Sequence, residues 1–202
     1  MHSPVFLVAA VAAAAAAWAQ APSRPLDIHF TPTRQVVAEA MLDLAGTGAD
    51  DVVYDLGSGD GRLVILAAQR HGARGVGYEL QAPLVALSRQ SAADAGVADR
   101  VRFVAGDLRT ADLAPATVVL LYLSTSLTRE LTPKLLSELR PGARIVSHRF
   151  LLADRPPDRS ATVEGAPLHL WIVPPREAAT AAAATARRHA PRAGRRPRGS
   201  GT

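Results

Sequence analysis

Residues 52–62 read Val52-Val53-Tyr54-Asp55-Leu56-Gly57-Ser58-Gly59-Asp60-Gly61-Arg62. A short apolar strand begins at Val52 and Val53 and ends near Leu56. Gly57, Gly59 and Gly61 then alternate with small or polar residues. Behind them Leu63, Val64, Leu66 and Ala67 give the chain an apolar helical face. Glycine lets a ligand approach the main chain closely. Strand, glycine turn and helix in this order place that ligand at the carboxyl edge of a parallel sheet.

Two classes of cofactor use such a turn. A dinucleotide site wants G-x-G-x-x-G, with its third glycine allowing close helix–strand packing. Counted from Gly57, that glycine belongs at position 62, where Arg62 stands. A pyrophosphate would also be repelled by Asp55 and Asp60, whereas a cationic methionine moiety tolerates them. The next strand, Arg74 to Glu79, ends in a carboxylate able to accept two hydrogen bonds from a ribose diol. The third, Val101 to Ala105, runs into Gly106-Asp107-Leu108, and an Asp there can accept from an adenine amino group. Alone, each piece is a turn, a solvated strand end or a helix cap. All three at one sheet edge, at βαβ spacing, point to S-adenosylmethionine.

The chain resembles class I S-adenosylmethionine-dependent methyltransferases over residues 29–173. It is similar above all to a bacterial group related to the mitochondrial protein-lysine N-methyltransferases that modify the ATP synthase c-subunit and the adenine nucleotide translocase. The residues that carry this are Phe30–Thr33, Val53–Arg62, Gly75–Leu80, Gly106–Leu108, Leu121–Leu123 and Val146–His148. The resemblance implies a Rossmann-like α/β fold, with a mostly parallel seven-stranded sheet and helices on both faces. It implies that Asp55, Gly57 and Gly59 contact the methionine part, with Ser58 in the same turn. Glu79 would hold the ribose, and Asp107 and Leu108 would lie by the adenine. Such proteins are expected to carry an acidic residue after Ser147-His148, and Arg149 stands here instead.

At 202 residues, the chain suits one domain with extensions. It has no cysteine, which excludes disulfides, thiolate nucleophiles and cysteine metal sites. His29 has no metal-ligand partner at a sensible spacing, so no metal is expected. Residues 1–19 hold an apolar, alanine-rich run and a small-x-small stretch, Ala17-Trp18-Ala19, before Gln20. They resemble a secretory signal peptide, although the n-region has no Lys or Arg, and an uncleaved anchor is the alternative reading. Localisation is therefore open between export and an inner-membrane anchor. A cytoplasmic-facing domain would suit a cytoplasmic cofactor. Residues 20–28 read as a linker.

Thr31-Pro32 is expected to cap and open a helix with Val36, Val37, Ala40, Met41 and Leu44 on its apolar face, ended by Gly46. Further on, Ala82 to Ala95 reads as a helix. Thr117 to Leu123 and Arg144 to His148 read as strands. Leu127, Leu131, Leu135 and Leu139 mark a helix restarting at Thr132-Pro133. A last strand, antiparallel by the resemblance, is placed at Leu168 to Val173. From Pro174 the composition turns to Ala, Thr, Pro and Arg, a tail expected to be disordered. Seven arginines against one glutamate give this tail +6 of a whole-chain +5, leaving residues 1–173 at −1. The basic charge thus lies off the catalytic domain, which argues against a nucleic-acid partner. The tail and the N-terminal segment are the two candidates for membrane contact.

Methyl transfer is an in-line displacement at a carbon already activated by the sulfonium charge. The protein must align a nucleophile and exclude water. A protein lysine is the leading acceptor, and it must lose its proton first. The alternatives are a small-molecule acceptor and a non-catalytic cofactor-binding scaffold. Substrate-side candidates are Thr31, Thr33, Ser124, Tyr122 and His148, the last two as catalytic residues. Thr31 has the plainer reading of a cap. Tyr122 either lines the acceptor pocket or packs in the core with a wet hydroxyl. His148 is either a base, titrating near neutrality, or a polar strand end, the plainer of the two. No Asn-Pro-Pro-aromatic run follows the fourth strand, which argues against nucleobase amino acceptors.

Overall fold

In a computed structural model of the chain, residues 31–175 are described. The apolar run at 1–19, the linker at 20–28, His29, Phe30 and the tail from Arg176 lie outside them. Seven strands form one sheet in the order β3-β2-β1-β4-β5-β7-β6. They are β1 (Val52–Leu56), β2 (Arg74–Glu79), β3 (Val101–Ala105), β4 (Val118–Leu121), β5 (Arg144–His148), β6 (Arg159–Val163) and β7 (Ala166–Ile172). β1 pairs in parallel with β2 and β4, β2 with β3, and β4 with β5. Only β7 runs against its neighbours, β5 and β6.

The helices are α1 (Gln35–Ala45), α2 (Arg62–His71), α3 (Ala82–Asp94) and α4 (Thr125–Glu138). Residues of α1, α2 and α3 share one core with Val53, Val118, Leu120 and Val146. Leu131 and Leu135 of α4 share the other core with Tyr54, Leu56, Val119, Leu121 and Ile145. Successive strand residues therefore feed opposite cores, and all four residues of β4 are buried, as expected of a central parallel strand covered on both faces.

Several boundaries differ from the sequence reading. Thr31 does not cap α1: the helix starts at Gln35, with Arg34 at the N-cap, and Thr31 is exposed coil. Its buried face is accordingly Val37, Ala38, Met41, Leu42 and Ala45, and Val36 is exposed. Gly46 does end it, in the left-handed conformation. Strand β4 stops at Leu121, so Tyr122 and Leu123 belong to the loop. The last strand begins and ends earlier than placed, at Ala166 and Ile172. Helix α4 does not restart at Pro133 but runs through it. That residue lies on the exposed face of the helix, away from the core that Leu131 and Leu135 enter. β6 had no strand placed on it: as an edge strand of Arg159-Ser-Ala-Thr-Val163, it shows little apolar signal.

Sheet order reverses between β1 and β4, where open α/β sheets bind ligands outside the strand ends.

Candidate active site

The glycine turn leaves β1 under tight control. The N–H groups of Gly57 and Ser58 both donate to the Tyr78 carbonyl, each at 2.9 Å. Gly57, Gly59 and Gly61 all have positive φ, at 94°, 53° and 80°. A Cβ on Gly61 would lie 2.6 Å from the Phe103 ring. One on Gly77 would lie 2.6 Å from Ser58 Oγ, so the second strand's glycine makes room for the first turn's serine.

Glu79 is buried at the end of β2 with both oxygens engaged. Oε2 accepts from Gly59 N–H at 3.0 Å, and Oε1 accepts from Gln81 N–H at 2.8 Å. The Gly59 carbonyl in turn accepts from Ser88 Oγ, fully buried on α3, at 2.9 Å. Asp60 pairs with Arg62 at 2.5 Å. Burial raises the Asp60 carboxyl, but the Arg62 hydrogen bonds and charge outweigh it and hold the pKa below the ordinary value. Arg62 also donates to the Thr33 carbonyl at 2.9 Å, tying the turn to the segment before α1.

Asp55 differs from its neighbours. It is buried, and Oδ2 has no hydrogen-bond partner. Burial first, then the charges of Glu79 and Asp60, push its pKa up to about 7. Ser58 Oγ is likewise buried and unpartnered. A buried carboxyl and hydroxyl left without partners fit a ligand that brings N–H donors and positive charge. The ammonium and sulfonium of S-adenosylmethionine supply both; a pyrophosphate supplies neither.

At the next strand end, Gly106 N–H donates to the Glu79 carbonyl, which sets Asp107 beside β2. Asp107 caps the 3-10 turn Leu108–Thr110 by accepting from Arg109 N–H at 2.9 Å. Its carboxylate also pairs with the Arg109 guanidinium, which reaches on to Glu130 of α4 at 2.6 Å. Leu108 packs against the α4-side core.

On the other side of the switch point, the Tyr122 and His148 rings stack at 4.1 Å between centroids, with Phe150 6.5 Å from Tyr122. His148 is buried, with Nδ1 unpartnered. Burial, then the charges of Arg149 and Arg34, hold its pKa below the ordinary histidine value. Gly57 connects the two halves: a Cβ there would meet Leu123 at 3.2 Å. Ser124 caps α4, accepting from Leu127 N–H, and its Oγ lies 3.0 Å from Ser126 Oγ. Thr33 is buried, with its carbonyl on Arg62, while Thr31 stands exposed. Among the described residues no group of His, Asp and Glu is placed to hold a metal. Sequence reasoning passed over Ser88 and gave Arg62 only the part of excluding a dinucleotide. A lone serine inside a helical pattern carries no signal of what it bonds.

Residues 55–159 match the ANTKMT methyltransferase domain. The chain belongs to this family. A protein-lysine N-methyltransferase of Saccharolobus islandicus is 37% identical over 68% of this chain and 86% of its own. The adenine nucleotide translocase lysine N-methyltransferase of Mus musculus is 43% identical over 52% of this chain, and the match spans only 46% of that relative. Among solved structures, an RNA methyltransferase from Salinibacter ruber, in complex with S-adenosylhomocysteine, is 49% identical. The match has a TM-score of 0.70 and covers 71% of this chain and 94% of that one. The protein is an S-adenosylmethionine-dependent methyltransferase with a Rossmann-like class I fold, and the matched stretch, residues 55–159, lies within the described residues.

Proposed function

We propose that this methyltransferase modifies a lysine side chain of a protein substrate. The observation that carries the reading is the Tyr122–His148 stack at the end of β4 and β5, across the switch point from the glycine turn. A lysine arrives as an ammonium and must lose its proton before it attacks, and a proton acceptor there must itself be uncharged. Burial and two guanidiniums keep the His148 imidazole neutral, with Nδ1 free to accept. The same positive field disfavours an ammonium beside it. Aromatic faces suit the methylene stem of the amine. The relatives' names support the same acceptor.

In this reading, Asp55, Ser58 and the glycine turn hold the methionine end of the cofactor. Glu79 holds the ribose, and Asp107 with Leu108 holds the adenine. When bound, S-adenosylmethionine supplies a methyl group already activated for displacement. Thr33 and Ser124 are assigned to the substrate side.

A second reading, RNA as acceptor, is favoured by the name of the Salinibacter ruber protein. The charge of −1 over residues 1–173 weighs against it. One experiment separates the two: incubate the full chain and a cell extract with tritiated S-adenosylmethionine, then separate protein and RNA fractions. Label recovered as methyllysine supports the proposal; label in methylated nucleosides replaces it with the second reading.

We infer further that the enzyme sits at a membrane through residues 1–19, with its catalytic domain facing the cytoplasmic cofactor. The support is the apolar run Val5 to Trp18. Among the described residues no helix is long and apolar enough to cross a membrane. Fractionation of the chain with and without residues 1–19 checks this: sedimentation with membranes should need them.

A further inference from the structure

We infer that Arg149 determines substrate specificity by selecting acceptor lysines flanked by a carboxylate. This rests on the lysine reading above and adds the chemistry of the surrounding substrate. Arg149 follows His148 at the end of β5, one residue beyond the ring that stacks on Tyr122. Its φ is +72°, in the left-handed region. For a residue with a Cβ, that backbone is sterically disfavoured. The conformation is held by its N–H, which donates to the Pro167 carbonyl of β7 at 2.8 Å. A strained arginine fixed beside a buried imidazole is a position where function commonly sets the residue.

Charge indicates what it selects. Two guanidiniums act on His148, those of Arg149 and Arg34. Arg34 has its counter-ion: Glu164, in the turn between β6 and β7, takes one of its nitrogens on the carboxylate and another on the carbonyl at 3.1 Å. Arg149 is exposed, and among the described residues no carboxylate pairs with it. An incoming lysine ammonium therefore meets one uncompensated cation at the rim of the stack. A substrate Asp or Glu beside the lysine cancels that charge and fixes the approach. A basic neighbour adds to the repulsion.

The test uses the full chain and neutral peptides with a single lysine, placing Asp or its isostere Asn at each flanking position in turn. Methyl transfer is followed as kcat/KM. The expected result is that Asp at one or more positions is favoured over Asn about fivefold, a gain that shrinks with added salt. The ratio should fall to near one in Arg149→Asn, a residue that tolerates the left-handed backbone, and persist in Arg149→Lys. Calorimetric binding of S-adenosylhomocysteine to each variant shows that the domain is folded. A ratio near one in the parent, or a ratio unchanged in Arg149→Asn, overturns the inference while leaving the lysine reading intact. Transfer to none of the lysine peptides, with cofactor binding intact, overturns both.

Discussion

Asp55 carries a carboxyl that the cofactor-free fold cannot ionise easily. Its pKa stands near 7 in the folded protein against an ordinary value of 3.8. The folded state thus binds this proton more tightly than the unfolded chain. Its contribution to stability is full below pH 3.8 and is lost as pH rises through about 7. The ceiling on that loss is roughly 4 kcal/mol. Denaturation midpoints of the cofactor-free enzyme should fall across this window and flatten in Asp55→Asn. A cationic ligand on Asp55 reverses the preference, so binding S-adenosylmethionine should release a proton below about pH 7. Calorimetry in two buffers of different ionisation heat would read that release; equal heats would mean that Asp55 keeps its protonation state on binding. Glu79 has a different part, because both its oxygens hold backbone N–H groups. Glu79→Ala removes two charge-assisted bonds and should weaken cofactor binding by about a hundredfold or more, measured by titration.

Glycine and proline set the behaviour of the elements around the site. Gly61 combines positive φ with a neighbouring ring where a Cβ would stand, and both the Phe103 ring and Ser88, whose Cβ would lie 2.9 Å away, are buried. Gly61→Ala should destabilise the domain by about 2–4 kcal/mol, checked by urea unfolding. Pro133 lies on the exposed face of α4, so Pro133→Ala restores one helical hydrogen bond and should raise stability by about 1 kcal/mol or more in the same assay. Strands β1, β2, β3 and β5 were legible in the sequence to the residue, because apolar runs there end in glycine or in a charged residue at the sheet edge. Helix α1 was misplaced by one turn because Thr31-Pro32 imitates a helix start, whereas the segment from Thr31 to Arg34 stays non-helical. An edge strand such as β6 buries too little to leave a period-2 pattern.

Over the whole molecule, the sequence and the fold agree on the parallel sheet edge along which the glycine turn and the acidic strand ends lie. Asp55, the glycine turn, Glu79 and Asp107 could be placed along one sheet edge from the sequence because each sits at or just past the end of one of three neighbouring strands, and that spacing is local. The Tyr122–His148 stack was readable only as two separate candidates, since it joins two strands through parallel pairing. Charge is also divided along the chain, with +6 beyond residue 173. A chain ending at Pro175 should therefore keep cofactor affinity and lose retention on heparin, read by salt elution; unchanged retention would move the polyanion contact onto the domain. Gly59 is gripped through both of its backbone groups, its N–H donating to Glu79 and its carbonyl accepting from Ser88. A cradle already fastened in this way has little left to order when the nucleoside arrives. Loading should then be a simple encounter without an induced-fit step.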